Sequence, residues 1–331
     1  MVTRNNRRLG SLLISCASSL LISCASLVIC LLLVALTSGQ ALAAEPKQKT
    51  FASPEEAVKA LVAALKAEDT KALSALFGPG SKDLVSSGDA VADKARRDRF
   101  VSDYEAKNKL EEAGPDKVVL YVGNQDWPFP IPVVKAQGAW RFGAKEGKEE
   151  ILARRIGGNE LGAIQVCLAY VDAQREYVMK DHDSDGLLEY AQKFWSDAGK
   201  KNGLYWETKA GDEQSPFGPL VGGARKKGYT AKQSGSKPAP YFGYYYRILS
   251  AQGKNAPGGA YDYVVKGNMI GGFALVAYPA QYGVSGIMTF IVNHDGVVYQ
   301  KDLGKITEKS ARAMKVFNPD RTWKKVEKGS P

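Results

Sequence analysis

The second half of this chain is laid out as a helical stripe followed by a run of short strands, and that order leaves few folds open. Leu161, Ile164, Leu168, Val171, and then Arg175 or Val178 recur at helical spacing from Asn159 to about Lys180. The spacing predicts a long amphipathic helix. Beyond residue 240 come short apolar runs at 241–249, 261–265, 273–278, 286–293 and 297–301. Runs this short, closed by turn residues, read as strands, and Asp295-Gly296 is a hairpin turn between the last two. A short helix near 308–316 and a terminal strand near 321–326 finish the chain. A helix leading into consecutive strands predicts an antiparallel meander with the helix laid on it, an α+β arrangement.

The first half repeats the order on a smaller scale. Ser53-Pro54-Glu55-Glu56 is a capping box with Pro at the first helical position, and Ala57, Leu61 and Leu65 follow on one face. Helices are predicted from Ser53 to about Ala67, over 70–77 and over 90–107, the second stopped by Gly78-Pro79-Gly80. Strands are predicted at 117–122, 130–136 and 139–142, with Gly138 in a turn. This half is α+β, comparable by analogy to NTF2-like or cystatin-like domains. A helix over 146–156 is expected to break at Gly157-Gly158, with Asn159 capping the long helix. The chain therefore divides into an N-terminal α+β domain at 51–157 and a C-terminal α+β domain at 158–331. A further helix is expected from Leu188 to about Gly199, containing Phe194 and Trp195. Residues 202–240, rich in Gly, Pro, Ser and Lys, read as a solvated, loop-rich insertion.

The N-terminus predicts export. Arg4, Arg7 and Arg8 precede an apolar run, and Ala41-Leu42-Ala43 supplies the small residues of a cleavage site. Residues 1–43 read as a signal peptide and 44–50 as a linker. Cleavage leaves 288 of the 331 residues, enough for two cores. The segment Leu12-Leu13-Ile14-Ser15-Cys16-Ala17-Ser18 recurs as Leu20-Leu21-Ile22-Ser23-Cys24-Ala25-Ser26, and both copies resemble a lipobox. The expected location is periplasmic or extracellular; the alternative is a membrane-anchored form, uncleaved or acylated. Of the four cysteines only Cys167 lies beyond residue 43, at an apolar helical position. It reads as a buried small hydrophobe and not as a nucleophile. The net charge of +10 becomes +7 once the three arginines are removed. That surplus suits an anionic envelope polymer, a glycan or another envelope protein as partner, while export argues against nucleic acid.

One stretch has a recognisable chemical purpose. Asp181, Asp183 and Asp185 alternate, Gly186 follows, and Glu189 lies three residues on. A calcium loop of the EF type uses positions one, three and five, a glycine at six and a bidentate Glu at twelve. Here position twelve is Gln192, so Glu189 at position nine is the expected fourth carboxylate. Asp181, Asp183, Asp185 and Glu189 are therefore the candidate Ca²⁺ ligands. His182 is expected between ligands and exposed, His294 solvated at a hairpin tip. No nucleophile elbow, zincin motif or phosphate-binding glycine loop is present. The remaining candidates are ligand contacts: Trp127 among prolines, as plug or shelf; Tyr244 and Tyr246 on one strand face; and the basic run Arg225, Lys226 and Lys227.

Longer stretches resemble a known family. Trp127-Pro128-Phe129-Pro130-Ile131-Pro132, Trp140-Arg141-Phe142, and Glu150-Ile151-Leu152-Ala153-Arg154-Arg155-Ile156-Gly157-Gly158-Asn159-Glu160-Leu161 are similar to the exported bacterial domain-of-unknown-function 2950 family. So are Tyr170-Val171-Asp172-Ala173-Gln174-Arg175-Glu176-Tyr177 and Asp185-Gly186-Leu187-Leu188-Glu189-Tyr190-Ala191-Gln192. The resemblance implies no catalytic residue. The second half also resembles pilin-like and pseudopilin-like C-terminal regions, through Ala173-Gln174-Arg175-Glu176-Tyr177 and the hairpin around Asp295-Gly296. In a pilin, however, the apolar helix is contiguous with this one. The expectation is an exported, non-enzymatic binding or assembly module with a calcium-braced loop. The alternative is a wall- or glycan-acting enzyme that uses carboxylates such as Asp181 and Glu189.

Overall fold

The computed structural model describes residues 47–209, 211–229 and 239–327. The expected signal peptide and linker residues 44–46 lie outside the described residues, as do residues 230–238 of the expected insertion.

Ser53 opens the first helix, α1 (Pro54–Lys66), as the N-cap. Its hydroxyl accepts from Glu56 N, the forward half of the expected capping box, while the Glu56 carboxylate reaches one residue further back and accepts from Ala52 N. Asp69 caps α2 (Thr70–Phe77) through Lys71 N and Ala72 N. A short α3 (Lys82–Val85) follows, then α4 (Ala90–Ala106), capped by Asp89. The first sheet comprises β1 (Asn108–Gly114), β2 (Lys117–Val122), β3 (Trp127–Pro128), β4 (Val133–Ala136) and β5 (Ala139–Phe142). Its order is β1-β2-β4-β5, and β3 pairs with the far end of β2. Alternation along β2 turns Val118, Leu120 and Val122 inward. Leu120 and Val122 meet Leu61, Leu73 and Leu76 of the helices in one apolar cluster.

From Gly143 a single helix, α5 (Ala144–Tyr177), runs for 34 residues. The remaining elements are α6 (Gly218–Lys226), β6 (Tyr244–Leu249), β7 (Ala251–Gln252), β8 (Tyr261–Asp262), β9 (Val264–Val265), β10 (Asn268–Met269), β11 (Ala274–Pro279), β12 (Met288–Asn293), β13 (Tyr299–Asp302), α7 (Thr307–Ala313), β14 (Val316–Phe317) and β15 (Lys324–Lys325). The second five-stranded sheet is antiparallel in the order β15-β13-β12-β11-β6. Every residue of β11 is buried, because α5 and α7 both pack against it. A second apolar cluster gathers around these strands. The architecture is α+β, and residues from Lys47 onward form one compact unit. Among the described residues no helix is long and apolar enough to cross a membrane.

Three expectations need correction. The helix does not break at Gly157-Gly158, and Asn159 is not a cap. Asn159 is buried, and its amide donates to the Ser285 carbonyl at 2.8 Å. Next to it, Glu160 Oε1 accepts from Ile287 N and Met288 N at 2.9 and 3.0 Å. These tertiary bonds fasten the helix where its two glycines are weakest. The expected helix over 188–199 is absent as well. Backbone groups there are taken by other partners: Tyr205 N donates to Phe194 O, Ser196 N to Tyr205 O, and Leu204 N to Lys193 O. Finally, the stretch from residue 202 is not simply a solvated loop. Leu204, Trp206, Phe217 and Val221 are core residues, and α6 forms within it.

Candidate metal centre

The acidic loop begins where α5 runs out and is held at both ends. Gln174, fully buried, donates from Nε2 to Ala191 O at 2.8 Å and accepts at Oε1 from Ala191 N at 2.9 Å. Its Nε2 also lies 3.0 Å from the Tyr170 hydroxyl. One side chain thus satisfies both backbone groups of Ala191 and fixes where the loop re-enters the core. Tyr190 N adds a bond to Met269 O in β10.

Between these anchors the loop folds around its own carboxylates. Asp181 Oδ1 accepts from Ser184 N at 2.7 Å, and Oδ2 accepts from Gly186 N at 2.9 Å. Asp185 Oδ1 accepts from Leu187 N at 2.8 Å, and Oδ2 accepts from Asn268 Nδ2 at 3.3 Å. Ser184 and Gly186 both take positive φ, 64° and 86°. The glycine expected for the sharp turn therefore stands where the left-handed backbone needs it. The result brings one oxygen each from Asp181, Asp183 and Asp185 within 4.8 Å of one another, all three residues exposed. The Gly186 amide, foremost, holds the Asp181 carboxyl below its usual range.

Glu189 differs from the three aspartates. It is half-buried, and Oε2 is sealed from solvent with no hydrogen-bond partner among the described residues. Burial, then the negative charge of Asp183, raises its pKa, while a bond from the Met269 backbone opposes the rise. The structure brings the three aspartates together and leaves Glu189, the expected fourth carboxylate, outside that cluster; three carboxylate oxygens this close suit a hard cation with oxygen ligands. Gln192 does not take the twelfth position of the loop: its Nε2 donates to Gly267 O at 2.6 Å.

The other candidates are dispersed. Tyr244 is fully buried, with its hydroxyl donating to Met288 O at 2.9 Å, and the Tyr246 hydroxyl donates to Tyr241 O at 3.1 Å. Tyr244 belongs to the core, and Tyr246 is half-buried against it. Trp127 is half-buried in β3, with the Arg154 guanidinium 4.9 Å from its ring centroid. Arg225, Lys226 and Lys227 lie in the last turn and C-cap of α6. Arg225 pairs with Glu207 at 2.7 Å, and Lys227 stands over the Phe242 ring at 4.5 Å. His182 is not exposed: it stacks on Tyr177 with centroids 4.1 Å apart, and burial lowers its pKa. Nor is His294 simply solvated. Its Nδ1 is buried and the ring packs edge-on to Tyr263 and Phe273. Cys167 is fully buried as expected.

Sequence reasoning missed Gln174 and Asn268, which position the loop from a helix interior and a two-residue strand. The Ala-Gln pair at 173–174 was visible, but its pairing with Ala191 depends on how the chain folds back.

A family profile described as protein of unknown function (DUF2950) matches residues 48–326. Neither a curated protein nor a solved structure matches the chain.

Proposed function

The chain belongs to that DUF2950 family, and from this premise we propose an exported envelope protein that binds or assembles without catalysing a reaction, its loop at 181–189 braced by calcium. The single observation behind the metal is the convergence of one oxygen each from Asp181, Asp183 and Asp185, with the partnerless Glu189 Oε2 in the same loop but outside that cluster. Without an ion these charges repel one another; a divalent cation relieves that cost. The loop joins the end of α5 to the segment that pairs with β10, so a bound ion ties the long helix to the sheet side. The positions of the titratable groups support a non-catalytic reading. Cys167 is sealed in the core, His182 is stacked on Tyr177 with Trp206 tilted beside it, and His294 sits in the β12–β13 hairpin with its ring packed on Tyr263 and Phe273. In the same reading the C-terminal half is pilin-like, supported by a long helix on an antiparallel meander, and the signal segment delivers the protein to the periplasm or beyond.

Melting in millimolar calcium against chelator tests the brace. Extracellular-type sites have Kd on the order of 0.1–1 mM. Binding to the folded state alone adds about 2.7 kcal/mol at a hundredfold excess over Kd, falling with the logarithm of the excess to about 1.4 kcal/mol at tenfold. The Tm should rise with calcium, Mg²⁺ should substitute poorly, and Asp183→Ala should erase the difference. A wild-type melt unmoved by calcium would remove the metal from this reading.

A further inference from the structure

The N-terminal half holds a cavity of about 870 Å³ that the metal loop does not touch. Its floor is the hydrophobic core itself: Leu61, Leu73, Phe100, Phe129 and Ile131 reach it from α1, α2, α4 and the strand segment after β3. Protein interiors are close-packed, so core side chains facing a space this large mark a place where another apolar body fits.

The polar wall is cationic. Arg96, Arg97, Arg99, Arg154 and Arg155 line the cavity against two acids, Asp93 and Asp103. Asp93 is already committed, accepting from Ser87 N and Oγ as well as from Arg96. Arg155 is only 7% exposed; its two terminal nitrogens donate to the carbonyls of Asp83 and Leu84, yet its Nε has no partner. The Nε of Arg97 is likewise buried and partnerless. Burial, foremost, and the neighbouring charge of Arg96 lower the Arg155 pKa, while Asp93 and Asp83 oppose the fall. Trp127, stacked under Arg154, borders the same space. On the α5 side the lining also includes Gly158, where a Cβ would meet nothing within 4 Å.

We propose that this cavity binds an anionic amphiphile, with its apolar body on the Leu61–Phe129 floor and its acidic head against the arginines. Arginine recognises carboxylate and phosphate heads through the same forked donors, so either head satisfies the wall.

Titration calorimetry on the full chain, in chelator, tests this without calcium soaps and independently of the metal reading. The probes share a twelve-carbon tail and stay below their micellar concentrations: laurate, dodecyl phosphate, neutral dodecyl maltoside and cationic dodecyltrimethylammonium. Saturable binding of one or both anions is expected, with the neutral and cationic probes at least about tenfold weaker, as loss of a charge-assisted hydrogen bond requires. The preferred head then distinguishes a carboxylate ligand from a phosphate. Arg97→Gln should weaken the anions by a similar factor. Gly158→Leu keeps helical propensity and projects into the space, so it should abolish binding while preserving the circular dichroism of the fold. Equal binding of all four probes, no saturable binding of either anion, or unchanged binding in folded Gly158→Leu would each overturn the proposal.

Discussion

Gln174 does with one side chain what a strand normally does with a ladder, capturing both backbone groups of Ala191 inside the core. Buried amides of this kind specify where a chain must fold back, since an unmatched partner would leave costly orphans. Cys167, one turn before Tyr170 in the same helix, is the opposite case, a polar atom placed where nothing answers it. Burial pushes its thiol up to about 12. A thiol raised in the fold is held neutral there and ionises in the unfolded chain above about pH 8.5. Its contribution to stability is therefore complete below that pH and is lost as pH climbs toward 12. Alkylation with iodoacetamide at pH 8, mapped by mass spectrometry, should leave the Cys167 peptide unmodified in native protein and modify it fully in urea. Native labelling at an exposed-thiol rate would show that the position opens.

At the scale of elements, α5 carries the contrast between what its residues announce and what packing decides. Its glycines look alike in sequence and have opposite roles. A Cβ at Gly157 meets nothing within 4 Å, whereas one at Gly162 would fall 2.6 Å from the ring of Phe242, itself held at φ 51°. Gly157→Ala should therefore stabilise by about 1 kcal/mol through helix propensity. Gly162→Ala should destabilise by about 1–3 kcal/mol through overpacking. Urea unfolding of the two variants reads both signs, and a lower midpoint for Gly157→Ala would contradict an unbroken helix. The same contrast explains what was legible. The N-cap at Ser53, the alternation of β2 and the apolar run of β11 are local patterns, and they read correctly from residues alone. The turn at Gly186 is equally local, and its glycine stands at positive φ as its place after Asp185 suggested. The continuity of α5 rests on Asn159 and Glu160 reaching residues 285–288, more than a hundred positions away. The core role of Phe217 rests on stacking against Phe194. Such long-range partners leave no periodic trace, so a broken helix and an open loop were the expected misreadings. The arginine wall was invisible for the same reason, since α4 and α5 contribute to it from separate parts of the chain.

At the scale of the molecule, the two apolar clusters are joined by more than the shared helix. Asp89 is only 2% exposed and serves both sides at once. It caps α4 through Ala92 N at 3.0 Å, and its Oδ2 accepts from the Tyr229 hydroxyl at 2.8 Å and from Gly243 N at 2.9 Å. Gly243 has φ 70°, and a Cβ there would lie 2.4 Å from the Asn159 amide, so the entry to β6 is pressed against α5. The lead into the second five-stranded sheet thus hangs on a carboxylate from the helical half. A boundary near residue 157 divides the apolar clusters but cuts through these bonds and through the middle of α5. Although a chain of this length often unfolds in stages, here the shared helix and the buried carboxylate couple the halves. Calorimetry should show a single transition with matching calorimetric and van't Hoff enthalpies. Asp89→Ala removes a helix cap and orphans two buried donors, a loss of about 3–5 kcal/mol from the magnitudes of those interactions. That loss should lower the one transition as a whole. Two resolved transitions in the wild type, or a variant in which only one half shifts, would show instead that the clusters are separate domains tied by a dispensable bond.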